Sequence, residues 1–191
     1  MGLADVRLPR WEDIHRVLTV DENLQSVSPE QAAELVESGD FVLIDVRPQA
    51  DYDKAHPAGA VNVPLFQRVN FRKPSFAGYL RAAALMANGV TPVEQNPDFV
   101  AQLAGAGPRV ILACEAGGVL DPSSSFPFGK ESRSLKAAFK AIRGGVVEEV
   151  LHLQGGVYGW FKADLPFVGP STVSPTGNHI DHANIWAFTA R

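Results

Sequence analysis

The sequence has a single cysteine, Cys114, among 191 residues. One cysteine cannot form an intramolecular disulfide, so no framework of bridges holds the fold, and we expect a free thiol in a reducing compartment. No apolar run approaches the ~18 residues of a membrane-spanning helix. The segment "MGLADVRLPRW" lacks the apolar region of a signal peptide, and Val6 stands where a myristoylation site has Ser or Thr. Neither a signal peptide nor N-terminal myristoylation is therefore predicted.

Neither sign of charge is in large excess. The formal net charge is -4, from 17 Lys and Arg against 21 Asp and Glu, which disfavours the basic class of nucleic-acid-binding proteins. Hydrophobic residues make up 46% and charged residues 20% of the chain, as in ordinary globular domains. The length is sufficient for one domain with a sizeable core, and the sequence has no internal repeats.

Strand and helix patterns alternate along the chain. The segments "FVLID", "AVNVP", "RVILAC" and "VEEVLHLQ" predict short strands. Helical spacing is found in "WEDIHRVLTV", "SPEQAAELVESG", "FAGYLRAAALMANG", "NPDFVAQLAGAG" and "SRSLKAAFKAIRGG". Ser28, Asn96 and Ser132 are the predicted N-caps, with Gln31 completing a capping box. This alternation predicts the α/β class, with a mostly parallel sheet covered by helices on both faces.

Cys114 follows one of the predicted strands. Ligands of parallel α/β folds bind beyond the carboxyl ends of the strands. Gly117 and Gly118 permit turns that direct backbone N–H groups inward as an anion-binding nest. The helix that begins near Ser132 adds the positive end of its dipole, and Arg133 adds a full charge. These surroundings favour the reactive thiolate, whereas the alternative is a small apolar core residue.

Two segments resemble a known family. "VLIDVRPQADYDKAHPAGAVNVP" resembles the first part of rhodanese domains, and "LHLQGGVYGWFKADLP" resembles their closing part. The matching residues are Asp45, Val46, Arg47, His56, Gly59, Ala60, Asn62, Pro64, Gly155, Gly156 and Trp160. The resemblance implies a rhodanese-like fold with a five-stranded, mostly parallel sheet for residues 26–168. Residues 1–25 are then an N-terminal helical extension, and residues 169–191 a polar tail that packs loosely or drapes over the domain.

The active loop of that family has the pattern Cys-x-x-Gly-x-Arg-Ser/Thr. Cys114, Gly117, Arg133 and Ser134 match it, but Arg133 lies 19 positions after the cysteine rather than five. The difference is an insertion over about residues 119–131. A subset of plant and algal plastid members has a similar long polar segment, so the resemblance implies a plastid location.

The resemblance also implies sulfur transfer. The Cys114 thiolate would take a sulfane sulfur from thiosulfate or a similar small donor and pass it from a persulfide to a thiophilic acceptor. No metal or organic cofactor is implied, and a protein acceptor or docking partner is left open. The residues implied at the site, with Cys114 as the nucleophile and the others binding substrate or anion, are Cys114, Glu115, Ala116, Gly117, Gly118, Arg133, Ser134 and Arg47.

Two other functions compete with sulfur transfer. A non-catalytic docking or regulatory module is one, because the insertion could cover or misplace the pocket although it adds little loop-closure entropy. A phosphatase is the other, and it is disfavoured because the family's phosphatases keep Cys and Arg tightly spaced. Arg47 also has a structural alternative, an ion pair with Asp45, Asp51 or Asp53.

Several further residues have competing interpretations. His56 is expected to be a structural hydrogen-bonding residue rather than a base, and Trp160 to be a core anchor in a turn. The Phe126–Phe128 stretch either pins the insertion to the body or marks a binding surface. His179 and His182 are spaced like a weak metal pair, but two ligands in a polar tail are usually solvated.

Overall fold

The computed structural model describes residues 8–68 and 93–169. The helices are α1 (Trp11–Arg16), continued by a π-helical turn (Val17–Asp21), α2 (Pro29–Glu37), α3 (Gln49–Tyr52), α4 (Phe99–Ala106), α5 (Arg133–Gly144) and α6 (Gly156–Lys162). The strands are β1 (Gln25–Val27), β2 (Val42–Asp45), β3 (His56–Pro57), β4 (Val61–Asn62), β5 (Phe66–Arg68), β6 (Val93–Gln95), β7 (Arg109–Ala113), β8 (Glu149–Leu153) and β9 (Phe167–Val168). The helix predicted in "FAGYLRAAALMANG", His179 and His182 lie outside the described residues, as does the predicted tail from residue 170 onward.

Five strands form the central sheet in the order β1-β8-β7-β2-β4, and all four pairings are parallel. In register, Leu43 of β2 pairs with Ile111 of β7, which pairs with Leu151 of β8. Two antiparallel pairs, β3 with β9 and β5 with β6, lie outside this sheet. The predicted α/β fold with five strands is confirmed, and its main sheet is wholly parallel over the described residues.

Side chains of the central strands alternate between two hydrophobic layers, because successive residues of a strand face opposite sides of the sheet. Ile44 and Leu112 join the layer that contains the buried faces of α4 and α5. Leu43 and Ile111 join the layer that contains Trp160 of α6. Both faces are therefore covered, which explains the continuous apolar runs in these strands.

The N-terminal helix belongs to the first of these layers. Ile14 and Leu18 have no exposed surface and pack in the same cluster as Phe99 of α4 and Leu135 of α5. The segment before β1 is thus held to the domain by its own apolar face. Among the described residues, no helix combines the length and apolar character needed to cross a bilayer.

Two of the three predicted N-caps are confirmed. The Ser28 hydroxyl accepts a hydrogen bond from the Gln31 N–H in a full capping box, and the Ser132 hydroxyl accepts one from the Leu135 N–H. The prediction for Asn96 was wrong, because α4 begins at Phe99. The Asn96 side chain instead accepts from the Asp98 N–H in a turn that precedes the helix.

Trp160 is buried, as predicted, but it lies within α6 rather than in a turn. Gly155, at φ +70°, is the N-cap of that helix. The glycine pair therefore marks a helix start. Helix α5 ends at Gly144, and Gly145 is its C-cap in the left-handed conformation.

The end of β2 is fixed by a buried ion pair between Asp45 and Arg47. The Arg47 Nη2 group lies 2.6 Å from the Asp45 carboxylate and also donates to the Ala55 carbonyl. Arg47 is 1% exposed. Its charge is therefore satisfied inside the protein, and it links β2 to the segment that leads into β3.

We expect Arg47→Met to lower the free energy of unfolding by about 3–5 kcal/mol, because it leaves the Asp45 carboxylate buried and unpaired. Urea denaturation measures this change. Arg109→Met is the matched control, since Arg109 pairs with Asp40 at 3.0 Å on the exposed surface, and it should cost about 1 kcal/mol or less. Equal losses in the two variants would contradict a special role for the buried pair.

Candidate active site

Cys114 directly follows the central strand β7 and is 3% exposed. Its Sγ atom accepts a hydrogen bond from the Ser134 hydroxyl at 3.2 Å. Ser134 belongs to the first turn of α5 and has no exposed surface. The structure thus brings together two predicted site residues that are 20 positions apart.

The loop after Cys114 is held by the first N–H groups of α6. The Val157 N–H donates to the Cys114 carbonyl at 2.8 Å, and the Tyr158 N–H donates to the Glu115 carbonyl at 3.0 Å. In a planar trans peptide the N–H points opposite to the preceding C=O. The N–H groups of Glu115 and Ala116 therefore point away from α6, and neither has a backbone acceptor among the described residues. These two groups fit the predicted anion nest.

Gly117 and Gly118 adopt φ +78° and +76°, the left-handed conformation that the nest prediction required. The Gly118 N–H, however, donates to the Ala116 carbonyl at 3.0 Å inside the loop. Gly118 is needed for another reason, because a Cβ atom there would lie 2.6 Å from the Lys130 carbonyl oxygen. The Gly118 N–H is therefore not free to bind an anion as predicted. The residue instead allows the loop to pass close to Lys130.

Arg133 faces the loop rather than solvent. Its Nη2 group lies 3.1 Å from the Glu115 carboxylate, and both side chains are about one-third exposed. Two residues predicted to bind an anion are therefore paired with each other. Because the pair is partly solvated, it contributes little to stability. Arg47 forms the buried ion pair with Asp45, which is the structural role considered for it in the sequence analysis.

The insertion leaves the loop and returns to it at one point. Val119 and Lys130 form an antiparallel bridge with N···O distances of 3.0 and 2.7 Å. Beyond the bridge the chain reaches Ser132, whose hydroxyl donates to the Gly117 carbonyl at 2.6 Å. The long spacer therefore does not separate the two halves of the loop, because α5 begins beside Gly117.

Helix α1 holds the insertion in place. The Trp11 indole donates to the Phe128 carbonyl at 2.9 Å, and the His15 ring donates to the Leu120 carbonyl at 2.8 Å. The rings of His15 and Phe128 also meet edge to face at 6.1 Å between centroids. Phe128 thus pins the insertion to the body, although its side chain is still 43% exposed and that of Phe126 is 46% exposed.

His152 is a site residue that the sequence analysis missed. It lies in β8, is 1% exposed, and donates from Nε2 to the Gly117 carbonyl at 2.5 Å. Burial disfavours the imidazolium and lowers the pKa of His152 to about 4. The sequence did offer one sign of this residue, because a histidine interrupts the apolar strand pattern "VLHL" just before the glycine pair.

His56 lies apart from this cluster, in β3. Its Nδ1 atom donates to the Tyr52 carbonyl at 2.7 Å, and its ring stacks on Tyr52 at 3.8 Å. These contacts are those of a structural hydrogen-bonding residue. Among residues 8–68 and 93–169, no group of three or more His, Cys, Asp or Glu side chains is placed to hold a metal ion.

We expect Gly156→Ala to disrupt the site. A Cβ atom at Gly156 would lie 2.2 Å from the Cys114 carbonyl oxygen, so the loop must move. Gly145→Ala is the control, since its φ of +60° matches the +58° of Gly156 and nothing lies within 4 Å of its added Cβ. The control should cost about 1–2 kcal/mol in unfolding free energy and leave the rate of Cys114 alkylation unchanged. Equal alkylation rates in both variants would contradict the close approach.

Comparison with known proteins places this geometry in a family. Residues 28–163 match the family model described as rhodanese-like domain. The chain is 33% identical over 155 residues to an Arabidopsis thaliana protein described as rhodanese-like domain-containing protein 14, chloroplastic, covering 79% of this chain and 68% of the relative. It is 28% identical over 144 residues to the Arabidopsis thaliana thiosulfate sulfurtransferase 16, chloroplastic, covering 74% and 90%.

Solved structures are also similar to this chain. A protein from M. tuberculosis superimposes with a TM-score of 0.49 at 20% identity, over 76% of this chain and 98% of its own. A thiosulfate sulfurtransferase from Pseudomonas aeruginosa gives a TM-score of 0.46 at 17% identity, over 83% of this chain and 23% of its own. The family match spans α2 to α6, which includes the elements that form the Cys114 loop, and on that match the chain belongs to the rhodanese-like domain family.

Proposed function

We propose that the protein is a sulfurtransferase that carries a sulfane sulfur as a persulfide on Cys114. The observation that supports this most is the position of the Cys114 Sγ atom. It lies at the carboxyl end of the central strand and accepts a hydrogen bond from Ser134. It also belongs to a loop in which the N–H groups of Glu115 and Ala116 have no backbone acceptor among the described residues. A thiolate or persulfide anion is the species that such surroundings stabilise.

The reaction proceeds in two displacements at sulfur. The Cys114 thiolate attacks the sulfane sulfur of thiosulfate or a similar donor, the donor's S–S bond breaks, and sulfite leaves with the bonding electron pair. A thiolate or cyanide acceptor then attacks the outer sulfur of the persulfide, and the Cys114 thiolate is restored. The electrons balance without an external oxidant or reductant, so we propose neither a metal nor an organic cofactor.

The groups around Cys114 have distinct tasks in this scheme. The N–H groups of Glu115 and Ala116 and the Ser134 hydroxyl stabilise the negative charge on sulfur. Arg133 attracts an anionic donor, which displaces the Glu115 carboxylate. Since the pair is partly solvated and surface ion pairs contribute about 0.2–1 kcal/mol, this displacement costs little. Gly117 and Gly118 shape the loop, and we assign no substrate contact to Arg47.

We also propose a plastid location and the domain limits predicted above. Two Arabidopsis thaliana relatives are described as chloroplastic, and the family match ends within the predicted domain of residues 26–168. The partners are a small sulfur-containing donor and a thiophilic acceptor, which includes the thiol of another protein.

A second candidate is a docking module without turnover. The observation that favours it is the exposure of Phe126 and Phe128, at 46% and 43%, on the insertion beside the active loop. Apolar rings exposed together are common at protein interfaces. This function requires no chemistry at Cys114, which separates it from sulfur transfer in a direct assay.

We expect incubation with thiosulfate to add one sulfur atom to the protein, because the Cys114 thiolate displaces sulfite. Intact mass spectrometry measures the adduct, and cyanide should remove it as thiocyanate. Cys114→Ser should form none, and Ser38→Ala, a surface control far from the loop, should form as much as the unaltered chain. A free Cys114 thiol that gains no sulfur would contradict the sulfurtransferase and favour the docking module.

A further inference from the structure

We propose that His152 is a positioning residue for the nucleophile. By occupying the carbonyl oxygen of Gly117, its imidazole directs the Ser134 hydroxyl proton to the Cys114 Sγ atom. The inference deepens the proposed function, because it says how the thiolate of that same site is stabilised. His152 itself does not contact Cys114 and acts through the other two residues.

The Gly117 carbonyl oxygen has three polar neighbours. The His152 Nε2 atom lies at 2.5 Å, the Ser132 hydroxyl at 2.6 Å and the Ser134 hydroxyl at 3.1 Å. A carbonyl oxygen has two lone pairs. The two shorter contacts, from His152 and Ser132, occupy both lone pairs. No lone pair of the Gly117 oxygen is then left for the Ser134 hydroxyl.

Ser134 has a single hydroxyl proton and, among the described residues, three acceptors within reach, one of which is the Ser132 hydroxyl oxygen at 3.1 Å. The Cys114 Sγ atom lies 3.2 Å from its oxygen, and the Gly117 oxygen lies 3.1 Å from it. With the Gly117 lone pairs used and the Ser132 oxygen already accepting from the Leu135 N–H, the proton goes to sulfur. Ser132 cannot replace Ser134 in this task, because its hydroxyl proton goes to Gly117 while its oxygen accepts from the Leu135 N–H.

The contacts of His152 fix which of its nitrogens carries the proton. Its Nε2 atom faces a carbonyl and must donate. Its Nδ1 atom lies 3.0 Å from the Ser26 hydroxyl, which donates to it. Ser26 is the register partner of His152 in the pairing of β1 with β8. Because burial keeps the pKa of His152 near 4, this neutral tautomer is present throughout the range in which a thiol ionises.

Loss of the imidazole would free one Gly117 lone pair. Ser134 would then donate to that oxygen, and the sulfur would lose its hydrogen bond. Hydrogen bonds to charged groups are stronger than those between neutral groups, so the loss falls mainly on the thiolate. The thiol form would be favoured and Cys114 would react more slowly at a given pH.

Other charged groups surround the loop and would be left in place by a change at His152. Glu115 and Arg133 pair with each other at its mouth. Asp45 and Arg47 pair at the end of β2. The insertion contributes further charges of both signs, at Asp121, Lys130 and Glu131. A change in Cys114 ionisation in a His152 variant is therefore assignable to the polar network.

The test compares two amides at position 152 in the full chain. The side chain of His152→Gln is long enough to donate to the Gly117 oxygen, whereas that of His152→Asn is one methylene shorter and is not. The rate of Cys114 alkylation by iodoacetamide is measured against pH. We expect the midpoint for His152→Asn to rise by about one pH unit, a roughly tenfold smaller thiolate fraction at fixed pH. The midpoint for His152→Gln should stay close to that of the unaltered chain.

Val100→Ala controls for lost packing, since Val100 is buried against Gly144 at the other end of α5. It should leave the midpoint unchanged. An unshifted midpoint in a folded His152→Asn variant would overturn the proposal, and so would equal shifts in the Gln and Asn variants. If His152→Asn does not fold, Ser132→Gly removes the other Gly117 donor with little loss of capping and should raise the midpoint. No rise in that variant would likewise overturn it.

Alkylation needs no sulfur donor, so this test is independent of the sulfur-transfer assay. A chain that gains no sulfur from thiosulfate, yet shows the shifted midpoint for His152→Asn, would retain the positioning role and lose the proposed reaction. A chain that gains sulfur without the shift would retain the reaction and lose the role of His152.

Discussion

The direct backbone contact between the Cys114 loop and the start of α6 determines the rest of the site. A Cβ atom at Gly117 would lie 2.8 Å from the Leu153 carbonyl oxygen, and one at Gly156 would lie 2.2 Å from the Cys114 carbonyl oxygen. Only glycine allows this approach. Because α6 binds the carbonyls of Cys114 and Glu115, the adjoining N–H groups face the other way, where an anion on sulfur can use them.

A second backbone contact explains how the site tolerates a long insertion. Its ends meet at the bridge between Val119 and Lys130, so Ser132 and Ser134 return to the Gly117 carbonyl regardless of the intervening length. The entropy of closing a loop also rises slowly with its length. Helix α1 then holds the insertion through the backbone carbonyls of Leu120 and Phe128, which gives the N-terminal segment a structural task beside the active loop.

The sequence alone predicted the fold class, the position of Cys114 and the helix that Ser132 caps, because hydrophobic periodicity and capping are local patterns. The buried polar contacts were harder to predict. His152 forms hydrogen bonds with Gly117 and Ser26, which are 35 and 126 residues away in the sequence. No local sequence pattern predicts partners at such separations. Arg47 was left between two roles for the same reason, and Asn96 was misassigned because its side chain could cap either a helix or a turn.

The central claim is that the N–H groups of Glu115 and Ala116 donate hydrogen bonds to the anionic sulfur of Cys114. Amide ¹⁵N–¹H resonances, followed through the ionisation of Cys114, test it most directly. The account predicts large downfield proton shifts for Glu115 and Ala116 that vanish in Cys114→Ser, with a smaller shift for Gly118, whose N–H already donates to Ala116. Shifts confined to Gly118, or unchanged resonances at Glu115 and Ala116 as the thiolate forms, would contradict it.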